Sequence, residues 1–210
     1  MSGRPTRRRL GRAFFARPAP VVARELVGAL LVRDDESLVA RIVETEAYMQ
    51  HDPACHAYRQ LTPRNAPLYG PAGHAYVYSS YGLHWCLNTA TGADGSAEGC
   101  LLRAAEPLDG LEVMRARRGE RVRARDLLRG PARLAQAFGL DGTWSGRDLC
   151  AGGPLHLASD GTSLPVGAGP RVGVTQAADT PWRFAASGSP WVSAYKRSPR
   201  APRAAQSAAG

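Results

Sequence analysis

Residues 74–88, HAYVYSSYGLHWCLN, alternate twice across a single Tyr-Gly break. In the first run Tyr76 and Tyr78 share one face. In the second, Leu83, Trp85 and Leu87 share one face and His84, Cys86 and Asn88 the other. A period of two is the signature of a strand, and Tyr81-Gly82 is the best turn candidate between the runs. The pattern predicts two strands joined at a tight tip, with Tyr81 near its apex.

A second alternating run, RIVETEAY (41–48), sets Glu44, Glu46 and Tyr48 on one side and Val43, Thr45 and Ala47 on the other. A solvated strand of an antiparallel sheet produces this pattern, and so does one wall of a catalytic cleft.

The remaining segments fill in around these strands. PVVARELVGALL begins as a short helix with Val22, Leu26 and Val21 on one side and Gly28 at its end. ALLVR and SLVARIVETEAY flank DDE as a hairpin, and a loop rich in Pro, His and Arg runs from Met49 to about Gly73. GCLLRAAEP reads as a strand ending before Pro107. Two helices follow, LDGLEVMRARRG and GPARLAQAFGL, the second opening on Pro131. Short strands are expected at PRVGV and WVSAY. This order predicts a single compact α+β domain over 13–195: a curved, mostly antiparallel sheet with flanking helices and a protruding β-hairpin. Residues 1–12 read as a disordered basic arm and 196–210 as a disordered tail.

Length and composition set the outer bounds. The chain has 210 residues with 44% hydrophobic content, enough for one sizeable core. No apolar run approaches the roughly 20 residues that span a bilayer, so no membrane partner is expected. The basic start lacks an apolar segment of the secretory type. Four widely spaced cysteines without a CxxC fit reduced thiols in an intracellular protein. Lys+Arg minus Asp+Glu is 27 − 18 = +9, and 26 of the 27 basic residues are arginine, Lys196 being the one lysine. Arginines cluster in the first 24 residues and over 115–133, and no acid follows Asp179. Clustered arginine is the footprint of a polyanion partner; basic tails on a soluble surface give the same composition.

Several residues are candidates for chemistry. Glu44 and Glu46, at i and i+2 on a strand, project from the same side, and a carboxylate in a partly dry cleft can act on water as a general base. Tyr48, Tyr76, Tyr78 and Tyr81 are interleaved with His56, His74 and His84. Strand tyrosines usually just fill a half-buried pleated surface, and Tyr76 is read that way. Tyr81 at a turn differs, because a large ring at a solvent-facing tip suits a wedge between bases. His51, His56, His84 and Cys86 match no zinc-binding spacing, so no metal is assigned. No phosphate loop, dinucleotide fingerprint or nucleophile elbow occurs, and no cofactor is expected. Cys55 and His56 are adjacent on an extended chain, point apart and do not form a nucleophile pair.

Taken together, RIVETEAY, DPACHAYRQLTPRN, GHAYVYSSYGLHWCLN, LLRAAEPLDGLEVMRARR, GPARLAQAFGL and PRVGV…PWRF…GSPWVS resemble, in order and over roughly 13–195, the alkyladenine (3-methyladenine) DNA glycosylase family. The resemblance implies a monofunctional enzyme that excises alkylated or deaminated purines from double-stranded DNA, without a cofactor and as a monomer. It matches Glu46 to the residue that activates the attacking water and Arg103 to an arginine near that water. It matches Tyr48, His56, Tyr78, Asn88 and Val174 to the base pocket. Tyr81, with Leu83 beside it, matches the tip that intercalates into the duplex. Glu44 receives no role, and its loss is expected to matter much less than that of Glu46. YMQHDPACH is a residue shorter than the family pattern and has Gln50 where glycine is usual, and Ala72 stands in GPAG where proline is usual. With Lys196 the one lysine, an amine for strand cleavage through a Schiff base is lacking in the core. A DNA-binding protein without activity and a metal-dependent nuclease are the other classes compatible with the charge.

Overall fold

The computed structural model describes residues 6–202. A two-residue strand, β1 (Arg8–Arg9), and one helical turn, α1 (Arg12–Phe15), lead into α2 (Ala19–Leu26). Pro20 sits in the first turn of α2, where its missing N–H has no intrahelical partner to lose. Val22, Ala23 and Leu26 are fully buried on one side, and Val21 faces outward. Fully burying a leucine such as Leu26 contributes about 2 kcal/mol. Gly28, at φ +102°, turns the chain into β2 (Leu30–Arg33). A single 3-10 turn, Asp34–Glu36, and a left-handed Ser37 then close the hairpin to β3 (Leu38–Tyr48).

After the loop come β4 (Ala75–Ser80), β5 (His84–Ala90), β6 (Gly99–Asp109), α3 (Leu111–Arg118), α4 (Pro131–Ala137), β7 (Leu155–Ser159), β8 (Val166–Gly169) and β9 (Arg183–Ala186). Among the described residues these strands form one antiparallel sheet in the order β1-β7-β2-β3-β6-β5-β4. It branches at β3, whose Glu44–Glu46 stretch also pairs with β9, and β9 in turn with β8. The sheet curls into a half-barrel. Helix α2 packs on β3 and β6, and α4 on β5 and β6. The result is one α+β domain with β4 and β5 as a hairpin at the sheet's edge.

The structure moves several sequence-derived elements. Strand β6 runs through Pro107 to Asp109, so Leu108 belongs to the strand and not to α3. Pro107 is tolerated because it pairs with Ala40 where the β3–β6 register slips. PRVGV and WVSAY are irregular segments, not strands. Their backbone donors go to carboxylates instead of a ladder: Val172 N–H to Glu46 and Ser193 N–H to Glu44. The expected basic arm divides. Residues 1–5 lie outside the described region, whereas Arg8 and Arg9 pair with Ser159 and Ala158, and Leu10 is buried. Of the expected tail, 203–210 lie outside the described residues, and 196–202 carry defined hydrogen bonds.

Candidate active site

Strand β3 supplies the acidic centre. Val43 and Ala47 enter the core, and the Thr45 hydroxyl donates to the Ala23 carbonyl of α2 at 2.7 Å. Glu44 and Glu46 therefore project away from α2, and both are fully buried. Arg103, reaching over from β6, joins them: Nε donates to Glu44 Oε1 at 3.1 Å and a terminal nitrogen to Glu46 Oε2 at 3.3 Å. Burial disfavours the Arg103 charge, but Glu46 and Glu44 outweigh it and hold its pKa above the ordinary arginine value.

The two carboxylates are not equivalent. Glu46 Oε1 accepts from the Val172 N–H at 2.7 Å, and Oε2 accepts from the Tyr48 hydroxyl at 2.7 Å. Glu46 lines a pocket of about 380 Å³. Glu44 is sealed away from it. Its Oε1 accepts from Arg183 Nε at 2.6 Å and from the Ser193 hydroxyl at 2.9 Å, and its Oε2 from the Ser193 N–H at 2.8 Å. Glu44 instead binds Arg103 and ties β9 and the 193 region to β3.

The hairpin supplies the aromatic wall. Its register sets Tyr76 opposite Asn88 and Tyr78 opposite Cys86, so all four share the face that lines the pocket. Tyr76 and Tyr78 stack at 5.3 Å between centroids, and the His56 ring meets Tyr78 edge-on at 4.5 Å. Tyr76 is more than surface filling. It is 2% exposed, its hydroxyl lies 3.0 Å from His56 Nδ1, and its carbonyl accepts from the Asn88 amide at 3.0 Å. Burial, then the neighbouring Arg64 charge, lowers the His56 pKa, favouring the neutral ring. Burial raises the Tyr76 hydroxyl to about 12. Burial and then the Glu46 charge push Tyr48 well above its usual value, keeping it a hydrogen-bond donor.

A buried ion pair stands behind these groups. Arg171 pairs with Asp52, donates to the Ala47 carbonyl at 3.0 Å and lies 4.7 Å from the Tyr48 ring centre. It clamps the loop that carries His56 to the segment that carries Val172 and Val174. Of the departures noted in this region, Gln50 accepts from the Ala97 N–H at 3.3 Å and Ala72 is buried.

At the hairpin tip Tyr81 is 95% exposed. Tyr81 (φ 53°) and Gly82 (φ 70°) are both left-handed, and Leu83 N–H donates to the Ser80 carbonyl at 3.1 Å, the pattern of a type I′ turn. A tyrosine held there with no packing partner costs about 1 kcal/mol. Among the expected site residues, Glu46, Tyr48, His56, Tyr78, Tyr81, Asn88, Arg103 and Val174 all line the one pocket. Leu83 does not; it is exposed beside Tyr81. Among the described residues no three His, Cys, Asp or Glu side chains group as a metal site.

The profile of a family described as methylpurine-DNA glycosylase matches residues 13–190. The chain belongs to the methylpurine-DNA glycosylase family. A relative from Burkholderia cenocepacia (strain HI2424), named "Putative 3-methyladenine DNA glycosylase", is 50% identical over 186 residues, 87% of this chain and 89% of the relative. Relatives of the same name from Carboxydothermus hydrogenoformans (43% identical; 88% of this chain, 98% of the relative) and Methanoculleus marisnigri (46%; 86% and 96%) are similar along nearly their whole length. A DNA glycosylase is a hydrolase of N-glycosyl bonds, and for such a family the pocket brings together a buried carboxylate, an aromatic slot and an exposed ring at its mouth. Sequence reasoning did not find Asp52 or Arg171 as parts of this site, and it found Glu44 without its anchoring bonds. The one available signal was a lone arginine in PRVGV, a motif otherwise small and apolar.

Proposed function

We propose that this protein is an intracellular, monofunctional DNA glycosylase that acts as a monomer on double-stranded DNA. It flips alkylated or deaminated purines out of the stack and hydrolyses the N-glycosidic bond with a water activated by Glu46. One observation carries this reading: the Glu46 carboxylate is buried at one end of an aromatic pocket whose other end is the exposed Tyr81.

A base inside a duplex is out of reach, so it must be extruded and the gap filled. Tyr81 is rigid, flat and free to stack, and Leu83 adds an apolar edge to the same tip. Alkylation at a ring nitrogen leaves the purine cationic. Between Tyr48, Tyr78 and a neutral His56 such a ring gains cation–π attraction of about 1–2 kcal/mol per well-placed face. Asn88 and Val174 line the same slot and restrict what enters it. The positive charge makes the base a good leaving group, and the sugar passes through an oxocarbenium-like state. Glu46 stabilises that cation and takes a proton from the attacking water. The Val172 N–H, the Tyr48 hydroxyl and Arg103 hold the carboxylate in place. Lys196 is not among the residues lining the pocket, which favours hydrolysis over Schiff-base chemistry.

The test is base release from duplexes carrying 3-methyladenine, 7-methylguanine, hypoxanthine or etheno-adenine. Release of at least one, with strands left intact until alkali is added and no borohydride-trapped adduct, is expected. Failure to release any of the four would sink the reading, and a trapped adduct would overturn the monofunctional assignment.

A further inference from the structure

The family match ends at residue 190, yet the chain beyond it stays tied to the pocket. Ser193 is bound to Glu44, and the Arg183 guanidinium lies 5.9 Å from the Tyr195 ring centre. The Gly173 N–H donates to the Lys196 carbonyl at 2.9 Å. Arg197 pairs with Asp179 at 2.5 Å and donates to the Pro202 carbonyl at 2.6 Å. These bonds lay residues 193–202 alongside 172–174, the segment that holds Glu46 and lines the pocket.

Between this strap and the hairpin tip lies a second cavity, of about 400 Å³. Tyr81, Val172, Gly173 and Thr175 line one side and the stretch Lys196–Arg200 the other. Tyr81, Val172 and Gly173 also line the first pocket, so the two open side by side. No acidic side chain lines the groove. Arg197 is neutralised by Asp179. Lys196 and Arg200 are exposed, and among the described residues neither has an acidic partner. The Ser198 and Thr175 hydroxyls add neutral donors. Two uncompensated cations with hydroxyls beside them are the chemistry of a phosphodiester contact.

We propose that the strap Lys196–Arg200 is a DNA-backbone contact outside the family-matched core: it grips the phosphates of the strand that delivers a nucleotide past Tyr81. This rests on the glycosylase reading, because the groove adjoins the mouth through which a flipped base would enter. The strap positions the strand and carries no sequence information.

The test compares wild type with the double variant Lys196→Ala/Arg200→Ala on lesion and undamaged duplexes of one sequence, measuring Kd over a salt series. Each phosphate contact contributes about 0.9 to the log–log salt slope. The double variant should therefore show a slope shallower by about 2, weaker binding to both duplexes alike and an unchanged Tm. Lys196→Arg/Arg200→Lys should retain the wild-type slope. A slope and Kd unchanged by the alanine pair, with wild-type base release intact, would overturn the strap and leave the glycosylase reading standing. Wild type that neither binds duplex in a salt-dependent way nor releases base would overturn both.

Discussion

The buried end of the pocket and the tip of the hairpin are built on opposite terms. At Glu46 both carboxylate oxygens accept hydrogen bonds from groups on three separate segments, and the flanking Glu44 is held by four donors. At Tyr81 nothing packs against the ring, and the backbone sits in a left-handed conformation that a tyrosine rarely adopts. An over-determined floor suits bond chemistry, which needs a group fixed within fractions of an ångström. A bare tip suits an opening task, because a ring with no partner in the free protein can take a base pair's place. Under the proposed function the two regions would do separate work: the floor would break the bond and the tip would hold the duplex open.

The largest effect should come from removing the charge at the floor. Glu46→Gln should keep lesion-DNA binding and lose single-turnover base release by on the order of 10²–10⁴-fold. Near-wild-type rates would show that the floor does not carry the chemistry. Glu44→Gln sharpens the contrast within the floor itself. It leaves Arg183 and half of the Arg103 contact uncompensated in a buried setting, which costs about 3 kcal/mol or more. At about 2–4 °C per kcal/mol for a chain of this size, thermal denaturation should show Tm lowered by about 6–12 °C. An unchanged Tm would mean that Glu44 is not the anchor its four bonds describe.

A smaller effect concerns the slot between floor and tip. The His56 pKa is lowered from its ordinary 6.5, so the folded protein keeps the ring neutral where the unfolded chain has begun to take up a proton. The stability this group contributes is complete above about 6.5 and is lost as pH falls toward the lower folded value. Once protonated, His56 repels a cationic purine and not a neutral one. The release rate for 7-methylguanine relative to hypoxanthine should therefore decline below that pH, and His56→Gln should flatten the decline. A constant ratio across the range would remove His56 from cation recognition.

Much of the floor's outline was legible in residues 41–48, because a period of two states which side chains share a face whatever the partner strands are. The hairpin was legible for the same reason, and Tyr81 stood out as a ring where turns rarely carry one. The supports were not legible. Arg183 and Ser193 lie 139 and 149 residues from Glu44, and Asp52 lies 119 from Arg171, so no local pattern links them. PRVGV and WVSAY carried β-branched residues and read as strands, yet their backbone N–H groups serve the two carboxylates. Arg8 and Arg9 read as part of a loose arm because their sheet partner, β7, comes some 150 residues later in the chain.

The most direct test of the division between floor and tip is the single-turnover rate of Tyr81→Ala, relative to wild type, on one lesion presented in duplex and in single-stranded DNA. Losing the ring removes stacking worth about 1–3 kcal/mol, close to 5- to 150-fold. Because single strands have little to unstack, the loss should fall on the duplex and nearly vanish on the single strand, with Tm unchanged for a side chain that is 95% exposed. Equal losses on both substrates, accompanied by a lower Tm, would show that Tyr81 is scaffold and that the tip does not open the duplex.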